Sequence, residues 1–235
     1  MFETLEYLPI LLSGLWVTVQ VALLSIGGTM IVSAVLGVVR SSRPRPVRRA
    51  GFAIVELLRG ATVLIYLFWI YYALPLIPGA PQLSPLTASV LVISLGAGAY
   101  GAEIVRSGLQ AVPRAQHDAV HALGLSKPVA LFRVIFPQAL VQIVPAFGSL
   151  AVDVVKWTSI VSFVGVQDLL FAAGTVRSLT QESMWVYLLV ALVYIGLCYL
   201  TALVFRVIEA LLPANRAHKK AELKPITALL EVVSK

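Results

Sequence analysis

The chain has 235 residues, of which 59% are hydrophobic and 12% charged, with a net charge of +7 and a mean hydropathy of +0.92. Soluble domains carry about a quarter charged residues, so a water-soluble fold would lack the polar side chains to cover this much apolar surface. The positive charge does not read as a nucleic-acid groove either. Arg40, Arg43, Arg45, Arg48 and Arg49 crowd one connector, and most other cations stand beside the ends of apolar runs, which is topology information.

The charge-free intervals define the elements. Glu6 to Arg40 encloses 33 residues without a charge, Arg59 to Glu103 encloses 43, Arg133 to Asp153 encloses 19 and Glu182 to Arg206 encloses 23. A helix needs about 20 apolar residues to cross the hydrocarbon layer. The first interval predicts span 1 at 10–38, with Ser25, Gly27, Gly28, Ser33 and Gly37 suited to close helix packing. It reads as a retained helix rather than a cleaved signal, because no basic n-region or A-x-A-like site accompanies it. The connector "RSSRPRPVRRA" should hold no buried element. The 43-residue interval is too long for one crossing, and its middle, "LPLIPGAPQLSP", contains four prolines and a glycine. It divides into span 2 at 53–73 and span 3 at 85–105.

A polar bridge follows at 106–133. Pro113 can open a helix, and Gly124 suits its end, so a short helix is expected at 114–123, then a second short element from Pro128 into span 4 at 134–153. Pro137 and Pro145 should kink that span. The mixed stretch 154–184 reads as a half-buried or re-entrant helix pair, span 5 covers 185–207, and a basic tail closes the chain at 212–235. The fold class is therefore all-α: a polytopic membrane protein with five spans in one unit, 1–211. The connector, the polar bridge and the tail are basic, whereas Lys156, Asp168, Arg177 and Glu182 cancel in the last loop. Five spans with the N-terminus outside place every positive stretch in the cytoplasm.

Chemistry is sparse. Cys198 is alone, so neither a disulfide nor a thiolate metal cluster is expected, and no phosphate-binding loop, H-E-x-x-H or serine elbow occurs. No metal site, bound cofactor or catalytic residue is expected, and any energy source must come from another chain or from an ion gradient.

The bridge carries the most specific pattern. "HDAVHALGLSKPVALFRVIFPQAL", 117–140, resembles the cytoplasmic loop signature of binding-protein-dependent ABC import permeases: acidic-Ala-Ala, three residues, Gly, nine residues, Ile-x-Leu-Pro. It is closest to the polar amino acid branch, the histidine and glutamine permeases, supported by "VELLRG", "SLGAGAYGAEIVRSGLQAVPRAQ" and "TSIVSFVGVQDLL" in the expected order. Asp118 stands where glutamate is commoner, Val120 replaces an alanine and His121 an arginine.

The resemblance implies a permease for polar amino acids or similar small zwitterions such as opines or compatible solutes, in a bacterial inner membrane. Its implied partners are two ATPase subunits that bind ATP-Mg, a second permease copy or homologue, and a periplasmic or surface solute-binding protein. The loop 114–127 would couple to the ATPase through Asp118, Ala119, His121, Gly124 and Ser126. Glu56 with Arg59, and Glu103 with Arg106, are three apart near span ends and read either as anchors or as an inner gate. Tyr66, Trp69, Gly98, Tyr100, Lys156 and Thr158 are the pathway candidates, with bundle packing the competing role for the aromatics. A gradient-driven secondary carrier is the alternative; it would predict inverted repeats and a mid-membrane ion site, and the sequence displays neither.

Overall fold

The structure, a computed structural model, describes residues 7–42 and 44–212, without the side chains of His117 and Lys127. The basic tail at 213–235 and Arg43 lie outside the described residues. Every regular element among the described residues is helical. In chain order they are α1 (Leu8–Arg40), α2 (Arg45–Arg59), α3 (Val63–Phe68), α4 (Pro85–Ala111), α5 (Arg114–Ala122), α6 (Lys127–Ala130), α7 (Phe136–Trp157), α8 (Leu169–Thr180) and α9 (Ser183–Leu211).

α1 and α4 form the central pair. The 33 residues of α1 extend about 50 Å and bury one stripe: Gly14, Thr18, Ser25, Thr29, Ser33 and Gly37, with Leu11, Val21 and Ala22. These residues recur every three or four positions and therefore share a face. α4 answers with Ser94, Gly98, Gly101, Ala102 and Val105, all buried. Lipid offers no hydrophobic drive for helix association, so the pair is held by close packing and hydrogen bonds across the seam. The Ser33 hydroxyl donates to the Gly98 carbonyl at 3.3 Å, and the Ser94 hydroxyl to the Ser25 carbonyl at 3.4 Å.

Span 2 departs from expectation. Rather than one helix over 53–73, the chain forms α2 and then a segment Val63–Leu76, bent by 92° across a short break. The second piece runs from α3 through a π-turn (Trp69–Ala73) and a 3-10 turn (Leu74–Leu76). Its 14 residues span about 21 Å, less than the roughly 30 Å hydrocarbon thickness. The Tyr66 hydroxyl donates to the Leu57 carbonyl, which also accepts from the Gly60 N–H at the end of α2, and so clasps the two pieces. The connector is shorter than expected because α2 begins at Arg45, with Pro46 in its first turn, where a missing N–H costs nothing. Gly51 and Val55 are its buried residues.

Ser84 caps α4, its hydroxyl accepting from the Thr87 N–H at 3.2 Å. α6 leads through a π-turn (Leu131–Ile135) into α7, and the apolar stretch Pro128–Val164 runs on through Pro145. The wide turn accommodates the donor that Pro137 lacks.

The 154–184 region is a pair of helical pieces, a 3-10 stretch (Thr158–Val164) and α8. Gly165, at φ +83°, reverses the chain between them. Asp168, expected to balance charge in the loop, is instead fully buried. Its carboxylate caps α8 by accepting from the Phe171 N–H at 3.0 Å and accepts from the Tyr194 hydroxyl of α9 at 3.5 Å. The Leu169 N–H donates to the Thr18 hydroxyl of α1 at 3.0 Å. α8 is thus fixed to both α1 and α9. Among the described residues, four helices are long and apolar enough to cross a membrane, and the bent pair makes a fifth if taken as one span.

The seam predicts an asymmetric response to bulk. A Cβ at Gly37 would stand 2.7 Å from the Val105 Cβ, while one at Gly27 meets nothing within 4 Å. Thermal unfolding in detergent should show Gly37→Val destabilised by about 1–3 kcal/mol, and Gly27→Val changed by less than about 0.5 kcal/mol.

Candidate functional site

The polar bridge folds as its residues dictate. Pro113 stands before α5 in an extended conformation, and α5 runs from Arg114 to Ala122, within a residue of expectation. Gly124 adopts φ +64°. The Gly124 N–H bonds to the His121 carbonyl at 3.1 Å and the Leu125 N–H to the Val120 carbonyl at 3.3 Å. That paired closure is a Schellman motif, and it requires a residue that takes the left-handed region without strain.

Val120 is the buried residue of α5, and the Gln138 side-chain amide of α7 donates to the Gln116 carbonyl oxygen at 3.4 Å. The inward face is therefore tied to the foot of α7. Asp118, Ala119, His121, Gly124 and Ser126 are all exposed. Leu123 is 74% exposed; no sequence signal singled it out, because a leucine in an Ala-rich helix reads as packing.

A second cluster gathers where α1, α2 and α4 meet. The Arg40 Nη1 lies 2.5 Å from the Glu103 Oε2, and Arg106 donates to the other carboxylate oxygen through Nε at 2.8 Å and through Nη2. Arg106 also donates to the Gln110 side-chain carbonyl at 2.8 Å. The expected pair Glu103–Arg106 forms, but Arg40, read only as a topology marker, is the partner from another helix. Its side chain is 11% exposed. Glu56 and Arg59 pair loosely at 3.7 Å. The Arg59 guanidinium lies 4.8 Å from the centre of the Tyr100 ring, whose other neighbour is Trp157 at 6.1 Å. Tyr100, Glu103 and Arg106 recur every three residues on α4; Tyr100 meets Arg59 of α2 and Trp157 of α7, and Glu103 meets Arg40 of α1.

The remaining pathway candidates divide. Gly98 is buried in the α1–α4 seam against Val32 and Ser33. Thr158 is fully buried and donates to the Val155 carbonyl at 2.7 Å, so its hydroxyl serves the helix end. Tyr66 closes the α2–α3 break. Trp69 is 53% exposed. Lys156 lies 3.0 Å from Asp153, and both are more than half exposed within an otherwise apolar helix. They line an open cleft of about 420 Å³ with Arg206 and Glu209 of α9. Asp153 stands one turn before Lys156 on α7 itself, while Arg206 and Glu209 join the cleft through the packing of α7 on α9.

This architecture agrees with known proteins. The family model described as "Binding-protein-dependent transport system inner membrane component" matches residues 29–212, and the chain belongs to that family. It is 38% identical over 219 residues to the probable amino-acid ABC transporter permease protein y4tF of Sinorhizobium fredii (strain NBRC 101917 / NGR234), covering 92% of each chain. It is 33% identical over 205 residues to the L-cystine transport system permease protein TcyB of Bacillus subtilis (strain 168), covering 87% of each. A crystal structure of an amino acid ABC transporter with histidines matches with a TM-score of 0.80 at 28% identity, over 88% of this chain and 95% of that one. The MetNI methionine ABC transporter in an inward-facing conformation shares the fold, with a TM-score of 0.74 at 22% identity, over 86% of this chain and 95% of that one. The chain is thus a membrane permease component and not an enzyme.

Removing the Glu103 carboxylate leaves two guanidiniums without their partner. Glu103→Ala should lower stability by about 1–3 kcal/mol, discounted for its partial exposure. The double variant Arg40→Ala/Glu103→Ala should lose less than the sum of the single variants, as read by thermal unfolding.

Proposed function

We propose that the chain is the membrane permease subunit of an ATP-driven importer of polar amino acids or similar small zwitterions, with α5 as the element that docks on a separate ATPase. One observation carries the reading. α5 is a nine-residue rod fixed at both ends, by Pro113 and by the Gly124 closure, that presents Asp118, Ala119 and His121 outward. A helix that is to transmit displacement must not bend or fray, and this one is braced on α7 through Val120 and Gln116. Leu123, projecting beyond its last turn, is the apolar group to enter the ATPase groove.

The coupling path then follows the packing. α5 hangs from the foot of α4, α4 carries Glu103 and Tyr100, and these hold α1, α2 and α7. Closure of an ATPase dimer loaded with ATP-Mg would displace α5 and reset this cluster, making Glu103, Arg106, Arg40 and Arg59 a gate network. The chain itself binds no cofactor in this reading. The basic bridges support a cytoplasmic α5, with the N-terminus outside and the C-terminus inside. Two ATPase subunits, a second permease copy or homologue, and a solute-binding protein complete the assembly.

The solute contact centres on Asp153 and Lys156. A charged pair this exposed inside a span is costly unless it faces water or a partner, so it belongs on a hydrated pathway. Opposite charges 3.0 Å apart match the carboxylate and ammonium of an amino acid. The names of relatives, amino-acid and L-cystine permeases, support that solute class. The gradient-driven carrier finds no support in a family of binding-protein-dependent transport components.

Gly124→Val forces a β-branched residue to φ +64°. Uptake in cells should fall to background while membrane insertion, read by surface labelling, is unchanged; normal uptake would contradict the docking role. Lys156→Ala should leave nucleotide-driven closure intact, followed by crosslinking from position 121 to the ATPase, but reduce uptake by at least about tenfold, roughly the loss of one charge-assisted contact.

A further inference from the structure

α2 has two solvent-accessible faces of opposite character. At 100° per residue, Arg45, Arg48, Arg49, Glu56 and Arg59 fall within about 100° of arc. Val47, Ala50, Ile54 and Leu57 occupy the opposite arc, and the buried Gly51 and Val55 lie between the two. Val55 packs with Ala99 and Ala102 of α4, while a Cβ at Gly51 would meet Val39 of α1 at 2.7 Å. Beyond this flank, α2 meets protein through Phe52 and Arg59, which pack against Arg40 of α1 and Tyr100 of α4. Val47, Ile54 and Leu57 are 42%, 47% and 70% exposed, and Arg45, Arg48 and Arg49 are exposed as well. Among the described residues none of these three arginines forms an ion pair.

The setting decides what covers such a helix. α2 starts five residues after the 33-residue apolar run of α1 ends, and it stands at 92° to Val63–Leu76. A helix perpendicular to a membrane segment, at the level where a spanning helix ends, lies along the bilayer surface. There an apolar arc meets acyl chains and a cationic arc meets headgroups, the arrangement of interfacial helices. A protein bound to the arginine arc would leave Val47, Ile54 and Leu57 in water. We propose that α2 is an in-plane membrane-surface helix whose Arg45, Arg48 and Arg49 bind the phosphates of anionic phospholipids. Phe52, on the cationic arc, lies 5.3 Å beneath the Arg40 guanidinium and packs there. α2 thereby holds the break at Gly60 at membrane level while α3 turns inward. The proposal does not depend on which solute is carried.

Native mass spectrometry of the full-length chain in detergent, titrated with phosphatidylglycerol or phosphatidylcholine, tests it. Each arginine near a headgroup contributes about fivefold, so R45Q/R48Q/R49Q should weaken phosphatidylglycerol binding by at least about tenfold and leave phosphatidylcholine unchanged. R45K/R48K/R49K should retain most of it, and K219Q/K220Q/K224Q should stay within about twofold of wild type. Unchanged phosphatidylglycerol binding, or an equal loss from the tail variant, overturns the proposal. Spin labels provide a second reading that does not depend on the triple variant folding. In a Cys198→Ala background reconstituted in mixed phosphatidylglycerol–phosphatidylcholine bilayers, a label at Ile54→Cys should collide with oxygen and one at Arg49→Cys with an aqueous nickel chelate. Equal chelate access at the two positions overturns the proposal.

Discussion

The seam between α1 and α4 is the contact on which the other parts hang. Its small residues let two backbones approach closely enough that serine hydroxyls reach carbonyls across it, and in lipid that closeness is the main source of attraction. The seam sets register as well as distance. With Gly37 against Val105 and Ser33 against Gly98, Arg40 at the end of α1 arrives beside Glu103 of α4. A shift of one residue would move the guanidinium by about 100° around the helix axis and leave both charges exposed to a medium that solvates neither.

From that register the functional parts acquire their positions. Glu103 holds Arg40 and Arg106, Tyr100 receives Arg59 and Trp157, and α5 is suspended from the C-terminal end of α4. α4 is consequently the member shared by the proposed coupling helix α5, the ion cluster, and α7, which carries the proposed solute contact. A displacement delivered at α5 has two routes into the bundle: through α4, and through the Gln116–Gln138 contact to α7. Both are helices, which pass a push along their length, and only the two-residue link Val112–Pro113 interrupts the route through α4.

How much of this was legible in the sequence depends on whether an element is set by its own residues or by its neighbours. Pro113, Gly124 and the breaker-free residues between them define α5 locally, so its bounds and its turn followed from the residues alone. Charge-free intervals located the long helices to within a few residues for the same reason. The break at Gly60–Thr62 was not legible, because hydropathy runs unbroken from Ala61 through Leu76 and a right-angle turn leaves no mark in apolar content. Only the alternation of arginine and apolar residues over 45–59 records that the first half lies on a surface. Asp168 was misjudged because a charged residue in an outer loop ordinarily faces water. Here the Phe171 N–H of α8 and the Tyr194 hydroxyl of α9 both donate to its carboxylate and make its burial tolerable. Arg40 was assigned to topology since its partner Glu103 lies 63 residues away in sequence, a separation that spacing rules do not reach.

The central claim is that this chain moves solute only when an ATPase acts on it through α5. It is tested most directly by reconstituting the purified permease in proteoliposomes, with and without the ATPase and the binding protein, and following a radiolabelled amino acid that the binding protein retains. Accumulation that requires the ATPase and ATP, and that an imposed proton or sodium gradient cannot replace, is the predicted result. Accumulation driven by a gradient in vesicles containing this chain alone would contradict it.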